Sequence, residues 1–174
     1  MSGLGKFLLI LGSLLGILLI AGVAWINVKS GAAERQGLGI STAVRSGSEL
    51  PEKTIEVLIN ENIIEPGDTV QYFYSYGVFS ILEGGSVLTD KEVVIYEPGE
   101  TGETDVYLLK LEDIRTIIKT VEGDFWTDEV YRISDSDPEA WIEIYLSVED
   151  DKHLKFVEAL YASTNTQKSD VKTE

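Results

Sequence analysis

Apolar positions follow three regimes along the chain: an unbroken run from Phe7 to Ile26, an alternation that begins near Thr69, and a helical spacing after Ser147. The alternation is clearest at Tyr72, Tyr74 and Tyr76, which share one face of a strand while Phe73 and Ser75 take the other. It predicts a first hairpin, Thr69 to Leu82 and Ser86 to Asp90, turning at Glu83-Gly84-Gly85, with a bend or bulge at Gly77. Further strands are predicted over 92–97, 106–111, 114–121, 130–133 and 141–146. In the last, Ile142, Ile144 and Leu146 form an aliphatic face directed at a core, and Trp141, Glu143 and Tyr145 form an amphipathic one.

Two helices frame these strands. Between Leu50 and Asn62, Pro51 and Glu52 favour a helix start, and Ile55, Leu58 and Ile59 fall on one stripe. After the last strand, Ser147 to Asp150 resembles a capping box, and Leu154, Val157, Leu160 and Tyr161, with Phe156 beside them, give a helix over 150–162 one apolar face. That face must lie against the sheet. The fold class is therefore mainly β (α+β): a closed or nearly closed antiparallel barrel of about seven strands, capped by a C-terminal helix.

The first regime is of another kind. Phe7 to Ile26 is 20 residues without a charge, and at 1.5 Å per residue spans about 30 Å, the thickness of a hydrocarbon core. A cleaved secretory signal has a shorter apolar core, and Trp25, Asn27 and Lys29 suit an interfacial end, so a retained single-pass anchor is the preferred reading. Gly12 and Gly16 form a GxxxG spacing that would let two such helices approach, although glycine is also simply frequent in membrane helices. Lys29, Arg35 and Arg45 after the run against Lys6 before it lean towards a cytoplasmic C-terminal domain, and both topologies stay open. The chain divides into an anchor (1–28), a glycine-rich linker (29–49), a folded domain (50–162) and a polar tail (163–174).

Charge narrows the function. Of 30 acidic and 14 basic residues, 28 and ten lie beyond position 50, so the domain is strongly anionic. Such a field repels phosphate backbones and acidic headgroups, which speaks against nucleic acid. The chain has no cysteine, which excludes disulfides, thiolate metal sites and cysteine nucleophiles.

The segments YFYSYGVFSILEGGSVLTDKEVVIYE, LLKLEDIRTI and WIEIYLSVEDDKHLKFVEALYA together resemble the bacterial pleckstrin-homology-like domains, over about residues 50–162. The resemblance implies a barrel closed by a helix carrying KFVEAL, and it implies little about function. Two departures matter. Glu92 stands where the pattern has a basic residue, and the first hairpin loop, Glu83-Gly84-Gly85-Ser86, lacks the lysines and arginines with which phosphoinositide-binding relatives hold their ligand. Phosphoinositide binding is therefore not expected.

Candidate chemistry is sparse. His153 is the only histidine, so any histidine-based relay or metal site would be built on it, although a lone helical histidine is usually a surface residue. Asp135, Asp137 and Glu139 alternate like calcium ligands but lack the glycine and distant glutamate of an EF-hand, leaving a turn before Pro138 as the default. Phe125 and Trp126 stand in a polar turn, where aromatic residues serve as contacts unless they fold back on the barrel. No cofactor is implied. The sequence points to a membrane-anchored, non-enzymatic domain that binds an unknown protein or its own copies; the alternative is an extracytoplasmic domain for a small ligand or calcium.

Overall fold

The computed structural model describes residues 43–164 and 166, except positions 79, 125 and 138. The candidate anchor, with Gly12 and Gly16, lies outside the described residues, and within them no helix is long and apolar enough to cross a membrane.

Among the described residues, eight strands form two antiparallel sheets. The first orders β1 (Arg45–Ser46), β2 (Val70–Ser75), β3 (Gly85–Thr89), β4 (Glu92–Pro98) and β5 (Thr104–Lys110) as neighbours in sequence order; the second does the same with β6 (Thr116–Val121), β7 (Glu129–Ser134) and β8 (Trp141–Leu146). Helix α1 (Glu52–Asn60) lies between β1 and β2, and α2 (Lys152–Ser163) follows β8. Among the described residues no ladder joins the sheets, so the expected closed barrel is instead a pair of facing sheets with a closing helix. Between β5 and β6, Leu111 and Ile114 both turn into the core, at 5% and 0% exposure.

The first sheet is covered on both sides. Tyr74, Leu88, Val93 and Ile95 face a core shared with Ile117, Ile133, Ile144 and Leu146 of the second sheet and with Phe156, Val157 and Leu160 of α2. On the opposite side Phe73, Val87, Val94 and Tyr96 meet Leu58 of α1 and Ile63, Ile64 and Ile81. This explains why β3 is buried at every position and the centre of β4 is apolar without alternation: strands buried on both faces have no solvent side. Placing Leu58 at full burial contributes on the order of 1.5–3 kcal/mol. Pro51 sits one place earlier than expected, as the residue capping α1.

Three further expectations change. Part of the segment assigned to the linker packs in the domain: Val44 is fully buried, Arg45 and Ser46 pair with Phe73 and Tyr72, and a Cβ on Gly47 would lie 1.7 Å from the Val70 carbonyl oxygen. A two-residue strand leaves no periodic trace in a sequence. The first hairpin is not tight, because β2 ends at Ser75 and residues 76–84 form a long loop that includes a 3-10 turn at Ile81–Glu83. Ser75 Oγ holds that loop, donating to Gly84 O at 2.9 Å, while Gly77 lies so close to Ser80 O that a Cβ would sit 1.9 Å away. The ladder irregularity falls instead between Val70 and Tyr72.

The third change is the phase of α2. Asp150 and Asp151 both adopt positive φ, so the capping box at Ser147 does not form; the Ser147 hydroxyl accepts only from Glu149 N at 3.3 Å. The helix starts at Lys152, and its buried stripe is His153, Phe156, Val157 and Leu160. Leu154 is 53% exposed.

Candidate functional site

The inner face of the second sheet begins as an aliphatic surface and ends as a polar one. Ile117, Ile133 and Ile142 lie in one register row; two residues along, Lys119, Tyr131 and Ile144 lie in the next, and Glu129 pairs with Leu146 beyond them. Strand geometry therefore sends Lys119 and Glu129 to the core side as surely as it sends the isoleucines. The first turn of α2 lays His153 over this end. Lys119 Nζ donates to Glu129 Oε1 at 2.6 Å and the Tyr131 hydroxyl to Oε2 at 2.7 Å, with His153 Nε2 3.6 Å from the same Oε2.

Electrostatics follow from this packing. Burial works to raise the Glu129 carboxyl, but the bonds from Lys119 and then Tyr131 outweigh it and hold the group below its ordinary value. Burial likewise works to lower Lys119, and the Glu129 bond outweighs that and raises it. Tyr131 is pushed up, first by burial and then by its bond to Glu129. The result is an ionised carboxylate held by a lysine and a neutral phenol. The Glu129 and His153 side chains are 4% and 6% exposed, nearly closed to solvent. His153 is thus not the surface residue expected; its carboxylate neighbour is Glu129 rather than the adjoining aspartates, and its Nδ1 has no hydrogen-bond partner among the described residues.

The tyrosines of β2 also serve the core. Tyr74 is buried and donates its hydroxyl to Asp128 Oδ2 at 2.6 Å, and Tyr72 packs its ring 5.9 Å from Phe156. Burial first, then the Asp128 bond, raise the Tyr74 phenol far above its ordinary value.

The remaining candidates lie apart. Asp135 Oδ1 accepts from Asp137 N at 2.6 Å and Asp137 Oδ1 from Glu139 N at 2.9 Å, so these carboxylates bond their own turn. Among the described residues no group of three His, Cys, Asp or Glu is placed to hold a metal ion. Phe125 lies outside the described residues. Trp126 is 88% exposed at the tip of the β6–β7 hairpin, closed by Asp124 and Thr127.

On the outer face of the second sheet, Arg132 pairs with Glu143 at 3.0 Å and stacks 4.0 Å over the ring of Trp141, while Ile118 and Tyr145 stay partly exposed. A cleft of 770 Å³ opens elsewhere, between the β3–β4 turn and the end of β5, with Glu65, Asp68, Asp90, Glu92 and Glu112 against Lys91 and Lys110. Burial and the carboxylates of Asp68 and Glu65 raise Glu92 there.

No family model matches the chain, and no curated protein matches it. Among solved structures it is similar to a DUF1696 family protein with a pleckstrin-homology domain from Shewanella loihica PV-4. The TM-score is 0.47 at 14% identity, over 70% of this chain and 97% of that one. A likeness this distant transfers no function.

The Glu129 cluster has a signal in the sequence. Lys119 stands two residues from Ile117, and Glu129 two from Tyr131, so both belong to the inward register.

Proposed function

We propose that this chain is a non-enzymatic, pleckstrin-homology-like domain, held at a membrane by residues 7–26, which works by binding protein, either a partner's segment or further copies of itself. Sequential antiparallel strands in two facing sheets, closed by a C-terminal helix, support the pleckstrin-homology-like reading. The observation that carries the functional reading is a contrast. The ionisable groups gathered in the interior bond one another beneath α2, whereas Trp126 is 88% exposed on a hairpin tip and Trp141 and Tyr145 reach solvent from the outer sheet face. Large aromatic side chains exposed in this way are typical anchors of protein interfaces. The acidic character of the cleft beside Glu92 speaks against an anionic headgroup as ligand.

The test places a photo-crosslinking residue at position 126 of the full-length chain in its own membrane. A discrete protein adduct is expected, whose mass distinguishes a second copy from another protein. Lipid adducts alone would overturn the reading. Alkaline carbonate extraction of the same membranes tests the anchor, which should remain with the lipid.

A further inference from the structure

β5 pairs with β4 along its whole length and with no other strand among the described residues. Two hydrogen bonds show which of its backbone groups point outward. Gly99 N donates to Glu103 O at 2.7 Å and Leu111 N to Lys91 O at 2.9 Å, so the odd-numbered residues from 103 to 111 face β4. Because alternate residues of a strand direct N–H and C=O to opposite sides, Thr104, Val106, Leu108 and Lys110 direct theirs away from the sheet. The Lys110 carbonyl is taken by Asp113 N at 3.0 Å, which leaves the open run centred on Val106 and Leu108.

Exposed edges are ordinarily blunted by proline, a central lysine, a bulge or a covering element. Among the described residues, β5 has none of these at its centre. Its register against β4 runs without a shift, Val106 to Leu109 is wholly apolar, and Tyr107 and Leu108 are 46% and 52% exposed on opposite faces. The edge also has electrical polarity. Glu97, Glu100, Glu103 and Asp105 crowd its first end with no lysine or arginine from 97 to 109, and Asp105, then burial, then Glu97 raise the Tyr107 phenol.

We propose that β5 accepts an extended segment of a partner protein as an additional strand, the segment being apolar at its centre and basic at the end that lies beside Glu103 and Asp105. Main-chain bonds to Val106 and Leu108 would supply affinity, and the acidic end would set direction. A second copy fits less well. Its own edge brings a single cation, Lys110, followed at once by Glu112 and Asp113, into a field that is already anionic. The proposal rests on the protein-binding reading above and adds to it a second contact, at an edge separate from Trp126.

The test uses the full-length chain in nanodiscs of neutral lipid and a labelled, end-capped peptide that alternates valine and threonine and ends in lysines. Anisotropy should show binding about tenfold tighter than for the same peptide ending in glutamates. Methylating alternate peptide nitrogens should abolish it. Leu108→Pro, at a position whose N–H bonds nothing in the sheet, should also abolish it with the circular dichroism unchanged, and Leu154→Ala, on the exposed side of α2, should leave it intact. Equal binding of the methylated peptide, or no binding of the lysine peptide, would overturn the proposal. So would an oligomer that Leu108→Pro dissolves, since the occupant would then be a second copy. A surviving adduct at position 126 in either case leaves the broader reading standing.

Discussion

His153 and Glu129 come from elements 24 positions apart in the chain and meet with Nε2 and Oε2 at 3.6 Å, both side chains nearly closed to solvent. Two ionisable groups are buried here where the surrounding sheet is aliphatic, and the bonds from Lys119 and Tyr131 do most to hold Glu129 ionised.

Glu129→Gln should therefore destabilise the fold by about 1–3 kcal/mol at neutral pH, because the Lys119 ammonium keeps only the exposed Glu122 as counter-charge and the Tyr131 hydroxyl loses its carboxylate partner. The sign of the pH dependence follows from a carboxyl held below its ordinary value of 4.5. Its contribution is present above that value and is lost as pH falls through the lower, folded one. Urea unfolding of both forms across the acid range should show curves that converge as pH falls; parallel curves would remove the carboxylate from the account.

The Tyr74 hydroxyl bonds Asp128 at 2.6 Å across 54 positions of the chain. Tyr74→Phe should cost about 1.5–3 kcal/mol, the range for a bond to a charged partner. A double-mutant cycle with Asp128→Asn should then show strong non-additivity. Additive effects would mean that the two residues act separately.

Leu58 and Leu154 separate a buried from an exposed helix position. Leu58→Ala should cost about 2–5 kcal/mol, since it opens the core between α1 and the first sheet. Leu154→Ala should change stability by less than about 0.5 kcal/mol. A large loss at Leu154 would contradict the phase of α2.

Gly85 opens β3 where a Cβ would come 2.3 Å from the Tyr74 carbonyl oxygen and 2.6 Å from the Tyr96 hydroxyl. Backbone cannot yield as a side-chain tip does. Gly85→Ala should cost about 1–3 kcal/mol in thermal melts, with near-ultraviolet dichroism reporting the displaced tyrosines.

The parts of this structure legible in the sequence are those where one physical rule acts alone. Ile142, Ile144 and Leu146 alternate because one face of β8 is dry, and the structure buries Ile144 and Leu146 completely. The phase of α2 was not legible, since His153 and Leu154 compete for one inward position and hydrophobicity favours the leucine. The positive φ of Asp150 and Asp151 decides for the histidine, and that backbone turn has no signature in composition. β1 escaped because two residues have no period. The Glu129 cluster escaped because inward alternation and charge point in opposite directions, and the lysine and tyrosine that reconcile them come from register. Trp126 was visible as an aromatic in a polar turn, but only the fold settles its exposure.

Covering the first sheet on both sides makes the molecule uneven in time. An amide in β3 is flanked by a strand on each side and roofed above and below, so its hydrogen exchanges with solvent only when the whole domain opens. The outward amides of β5 wait for no such event. In deuterium the slowest signals should come from β3 and the centre of β4, and the fastest in the sheet from Val106 and Leu108, so the chain's innermost strand keeps its history longest while its edge renews within each local fluctuation.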